Sequence, residues 1–95
     1  METAILEQYR ALGVVKVEVN GPNMAVHVTP TTYRVLLSDR VAANKVMRDW
    51  QTRVAQNYGT PGMGSVALYS GGYQVAEAEY DLWAGQIKVI WADQQ

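Results

Sequence analysis

The stretch DRVAANKVMRDWQTRVAQNYG, residues 39–59, decides the fold. Ala43, Val46, Met47, Trp50, Val54 and Tyr58 recur at helical spacing and form one apolar stripe about 100° wide. Asn44, Lys45, Arg48, Asp49, Thr52 and Gln56 occupy the opposite side. Asp49 precedes Arg53 by one helical turn, the favourable order for an exposed ion pair. Gly59 supplies a left-handed stop. The stripe predicts a long amphipathic helix with Trp50 and Tyr58 in the core, and such a helix needs a sheet to cover it.

Period-two segments on both sides supply that sheet. Upstream, Val15, Val17 and Val19 alternate with Lys16 and Glu18, and Met24, Val26 and Val28 alternate with Ala25 and His27. Asn20-Gly21-Pro22-Asn23 between them makes a hairpin. Before it, Ile5, Leu6, Tyr9 and Leu12 share a helical stripe that Thr3 can cap and Gly13 can end. Residues 30–37 read as a short helix begun by Thr29 and Pro30, with a third strand as the rival because Tyr33, Val35 and Leu37 also alternate.

Downstream, residues 59–64 form a loop. Val66–Ser70 and Tyr73–Leu82 then flank Gly71-Gly72 as a second hairpin, with a bulge expected near Ala76-Glu77 where the apolar parity slips. Ile87–Ala92 is apolar on both faces, which predicts a central strand. The sum is an α+β domain over residues 1–95. Its mainly antiparallel sheet of two hairpin units packs against one long amphipathic helix and a short N-terminal helix, and residues 93–95 read as a loose tail.

The composition narrows the chemistry. With 95 residues, 48% of them hydrophobic, the chain has the size of one small globular domain. Eight basic and nine acidic residues leave a net charge of −1, too little to hold a polyanion by net charge. The absence of cysteine excludes disulfides, thiolate zinc sites and a cysteine nucleophile, and a single histidine excludes a multi-histidine metal site. No cofactor or metal is expected. The acidic start lacks the basic and apolar regions of a secretory signal, and no apolar run reaches the ~20 residues that span a bilayer. The expected setting is cytoplasmic and away from membranes.

Two chemical readings fail on inspection, and a third is kept only as an alternative. Gly59, Gly62, Gly64 and Ser65 lack the lysine and the strand–loop–helix order of a phosphate-binding loop. His27 lies on the polar side of a strand, and Ser38, Ser65 and Ser70 all lack a nucleophile-elbow context. A catalytic role is not expected. Arg40, Lys45, Arg48 and Arg53 could set a basic helix face against phosphates, but Asp39 and Asp49 interrupt it. Nucleic-acid binding through these four is the alternative reading.

The leading candidates for contact lie in the second half. Glu77, Glu79 and Asp81 point the same way on one strand, as a row that can steer a basic partner. Tyr69 and Tyr73 flank Gly71-Gly72, Trp83 sits by the final turn, and Met63 lies in the glycine loop. Tyrosine and tryptophan join apolar area to a polar handle, which suits surfaces wet when free and dry when bound. In size and architecture the chain resembles the small, cysteine-free α+β accessory proteins of phages, some of which inhibit host defence complexes. That resemblance brings no functional residue with it. The expectation is a non-enzymatic protein-binding module, an inhibitor or adaptor of a larger complex, with a homodimer as another way to cover the exposed aromatics.

Overall fold

Residues 40–58 form the long helix that the apolar stripe demands. The computed structural model describes residues 1–60 and 62–94; Pro61, in the glycine loop, and Gln95, in the expected tail, lie outside the described residues. Helix α1 (Glu2–Tyr9) runs into a short 3₁₀ turn and ends at Gly13, and strands β1 (Val14–Asn20) and β2 (Asn23–Val28) follow. Then come α2 (Pro30–Ser38), α3 (Arg40–Tyr58), β3 (Ser65–Ser70), β4 (Tyr73–Asp81) and β5 (Gln86–Trp91).

Local chemistry explains the boundaries. The Thr29 side chain accepts the Thr32 N–H at the start of α2, and Pro30 fills the first helical turn, where no N–H is needed. Helix therefore wins over strand in this segment. The Asp39 carboxylate accepts the Ala42 N–H and opens α3, while Gly59 closes it with its N–H on the carbonyls of Ala55 and Gln56. α1 begins earlier than a Thr3 cap would place it, with Met1 at the cap position. Gly71 and Gly72, both at positive φ, make the tight turn between β3 and β4.

The strands form one sheet in the order β1-β2-β3-β4-β5. Neighbours are antiparallel except β2 and β3, which run parallel because α2 and α3 carry the chain back across. The register of β1 against β2 shifts between Val14 and Lys16, so Val14 is buried and Val15, expected on the inner face, is exposed. In the second hairpin the bulge lies at Val75: Leu68 faces Ala76 while Tyr69 faces Gln74, one residue before the expected position. β5 is an edge strand, not a central one. Its inner face reads as apolar because α3 packs over it, and Trp91 is buried there with its indole N–H donating to Asn44 Oδ1 at 2.8 Å.

The core lies between the helices and one sheet face. Val17, Val26, Leu68, Ala76 and Trp91 form one cross-strand row of it, and Val19, Met24, Val66, Ala78 and Val89 the next. Met47, Trp50 and Val54 of α3 press onto these rows, and Trp50 is 3% exposed. Tyr58, expected in the same stripe, is instead 54% exposed: it is the last residue of α3, and its ring edge lies near Gly21 of the β1–β2 turn while Ala55, one turn earlier, is buried. Asp93 is likewise not in a loose tail: it lies in a final 3₁₀ turn (Ala92–Gln94) and pairs with Arg40 through both terminal guanidinium nitrogens. Among the described residues, no helix is long and apolar enough to cross a membrane.

Candidate protein-contact surface

Strand β4 separates the expected contact residues into two groups. Tyr73 opens the strand and Asp81 closes it. At ~3.3 Å per residue, those two ends stand ~27 Å apart. Tyr69 and Tyr73 therefore belong to the β3–β4 turn end. Trp83 and Asp81 belong to the opposite end, with Met63, which lies just before the strand that Glu79 joins through Ser65. Glu77 stands between them. The sequence grouped these residues by chemistry, but the sheet does not bring them into one patch.

The β4–β5 turn carries the most prominent of them. Trp83 is 100% exposed and Leu82 78% exposed. The Asp81 carboxylate accepts the backbone N–H of both Trp83 (3.0 Å) and Ala84 (3.2 Å), and the Gly85 N–H donates to the Asp81 carbonyl. Such a turn is held in one shape by its own carboxylate, as Asx motifs are. These bonds fix the backbone beneath Trp83, so that meeting a surface has only the indole's own two torsions left to order. Asp81 thus has a positioning role that a row of steering charges did not suggest.

The glycine loop at the same end is held by Gln51, a polar residue assigned to neither face of α3 from the sequence. Gln51 is buried, and its side-chain amide donates to the carbonyls of Met63 (3.0 Å) and Gly64 (3.3 Å). Gly64 also lies so near Pro22 that a Cβ there would collide with the Pro22 carbonyl oxygen, so no larger residue fits. Met63 is therefore presented, half exposed, from an anchored loop. A glutamine inside an amphipathic helix gives no such signal until its loop partner is known.

Of the acidic row, Glu77 is half-buried and Glu79 exposed; among the described residues neither has an ion pair or a side-chain hydrogen bond. Lys88 is the cross-strand neighbour of Glu79, as the sequence implied, though the two stand beyond ion-pair distance. The basic helix face is different. Arg40 is bound to Asp93 and lies over the Trp91 ring at 5.4 Å. The Asp93 hydrogen bonds hold the Arg40 guanidinium charged more firmly and keep the Asp93 carboxyl below its usual range. Arg53 pairs with Asp49 at 3.6 Å and donates to Gln8 at 2.9 Å. Arg48 reaches the Ile87 carbonyl at 3.5 Å, and Lys45 alone of the four has no such contact among the described residues.

His27 lies on the uncovered sheet face. Its Nε2 is 2.8 Å from Glu18 Oε1, and its ring stacks on Tyr69 with centroids 5.0 Å apart. That hydrogen bond, with Lys16 nearby, lowers the Glu18 pKa. No group of three metal-ligating side chains gathers there or elsewhere among the described residues.

On the helix side a carbon-lined cleft of about 160 Å³ opens between α1, α2 and α3, with Leu12 and Val35 exposed in its walls and Trp50 among its lining residues. The Trp50 indole N–H has no partner among the described residues. Periodicity reads Leu12 as core, but the chain tightens into a 3₁₀ turn over residues 10–12, which breaks the α-helical spacing and leaves Leu12 65% exposed. Compared with protein-family models, with curated proteins and with solved structures, the chain matches none.

Proposed function

We propose that the chain is a protein-binding module that acts without a chemical step of its own, as an inhibitor or adaptor of a larger assembly. One observation carries this reading: a fully exposed tryptophan on a turn locked by Asp81. Tryptophan is strongly enriched among interface hot spots, and burying its surface can supply several kcal/mol. Leu82 and the anchored Met63 are further exposed apolar side chains at the same end of the sheet. Glu79 and Glu77, with no internal counter-ion among the described residues, steer a basic partner toward that end.

The basic helix face supports nucleic-acid binding less well. Arg40 and Arg53 are committed to acidic or amide partners inside the chain, and a phosphate would have to displace those contacts. His27 is held by Glu18 and Tyr69 on an open sheet, without a cleft that would exclude water from a reaction.

The test is a photo-crosslinking amino acid at position 83, with a control at the exposed Val41 on the helix side. In extracts of native host cells, position 83 should give one discrete protein adduct, position 41 none, and excess unlabelled chain should remove it. Equal labelling from both positions, or no adduct at 83, contradicts the reading.

A further inference from the structure

The helices all lie on one face of the sheet, and nothing among the described residues covers the other. From β1 to β5 its middle row reads Glu18, Ala25, Ala67, Glu77 and Ile90. The methyl groups of Ala25 and Ala67 leave a low floor on two central strands, and a trough of about 290 Å³ lies over them. One wall carries Tyr69, stacked on His27 with the ring planes 17° apart. The other is the Asn23–Ser65 pair, joined by a 3.1 Å hydrogen bond. Glu18 stands at one end: His27 (2.8 Å) and Lys16 (3.7 Å) both engage its Oε1, which leaves Oε2 to meet a ligand. Glu77, the cross-strand neighbour of Ala67, stands just past the other. Three strand spacings separate the two carboxylates, ~14 Å in all.

The charge of the chain is divided between its two sides. By register the open face carries Glu18, Glu77, Glu79 and Asp81 against Lys16 and Lys88. The helix side carries the remaining five acidic and six basic residues. A net charge of −1 is therefore −2 on the open face and +1 behind it. An aromatic wall on an open sheet can also stack nucleic-acid bases, but a phosphate backbone laid here would meet carboxylates at both ends.

We infer that this trough receives an extended basic segment of the protein partner, with arginines two residues apart reaching toward Glu18 and Glu77. This rests on the protein-binding reading above and names the chemistry of the partner. In an extended chain alternate side chains point the same way about 7 Å apart, and each arginine adds its own reach, which spans the distance between the carboxylates. The planar guanidinium fits against the Tyr69 ring and forks onto a carboxylate, a geometry that lysine does not reproduce.

The test is an amide NMR titration at low salt. The probes are an acetylated, amidated Ser-Arg-Ser-Arg-Ser peptide, the same peptide with glutamine for arginine, and a short oligothymidine. The arginine peptide should shift the amides of Ala25, Ala67 and Glu77, and the other two should not. Glu77→Gln should weaken the peptide at least fivefold. Glu7→Gln, which removes one negative charge from the helix side, should change it less than twofold. Diffuse shifts, equal weakening in both variants, or the same amides moved by oligothymidine would overturn the inference. If the position-83 adduct persists while the peptide misses the trough, this inference fails alone; loss of the adduct is failure of the protein-binding reading itself.

Discussion

The Trp50 indole meets the Tyr9 ring edge to face, with centroids 5.1 Å apart and planes at 88°. This contact ties the N-terminal helix to α3 above the sheet. Trp50→Ala removes that contact and opens a cavity in the small core, at an expected cost of about 3–5 kcal/mol. Thermal or urea unfolding measures it. A variant that melts within a few degrees of the parent would show that Trp50 does not hold these layers together.

Gln51→Ala leaves the carbonyls of Met63 and Gly64 without their donor. The expected loss is about 1–3 kcal/mol. Hydrogen exchange should quicken in residues 62–64 well before the sheet responds. Unchanged exchange in that loop would mean that Gln51 does not anchor it.

Acid should weaken the fold through Asp93 and Glu18, whose carboxyls are both held below their usual range. Asp93 is held there by its hydrogen bonds from Arg40, and Glu18 by that with His27 and then by Lys16. A depressed folded-state pKa adds stability above the unfolded value, about pH 4, and that stability is lost as pH falls through the folded value. Melting temperature should thus decline below about pH 4, and less steeply in Asp93→Asn than in the parent. Equal slopes would show that the Arg40–Asp93 pair does not contribute to the acid sensitivity.

How much of this was legible in the sequence follows from what each signal measures. The α3 stripe, the two hairpins and the α2 cap depend on periodicity and local hydrogen bonding, and those elements form where the signals place them. Strand order does not depend on such signals. β5 is apolar on its inner face whether it is central or, as here, an edge strand covered by α3. Tyr58 shows the same limit, since helical spacing cannot tell how fully neighbouring elements cover the last residue of a helix. In the candidate site, chemistry picked out Trp83, Met63 and Asp81 together with Tyr69 and Tyr73. The length of β4, ~27 Å, keeps the two tyrosines away from the rest. The hold of Gln51 on the glycine loop depends on how that loop folds back over α3, so no local pattern announces it.

Reversing two acidic residues separates the two kinds of partner. Glu77→Lys with Glu79→Lys should leave the fold intact, because neither carboxylate has an internal ion pair among the described residues. Association with a basic protein partner should slow several-fold, most clearly at low salt. Arg48→Glu should speed it or leave it unchanged. Stopped-flow association rates read both. Tighter nucleic-acid binding by the lysine variant, with loss of native binding in Arg48→Glu, would favour the basic helix face.

The anchoring role proposed for Trp83 is tested by the affinity of the crosslinked partner for the parent and for Trp83→Ala. Calorimetric titration should show the variant binding at least thirtyfold more weakly, equivalent to about 2 kcal/mol. Its melting temperature should match that of the parent, since a fully exposed side chain adds nothing to the core. Equal affinity in the two proteins would show that the partner is held by some other part of the surface.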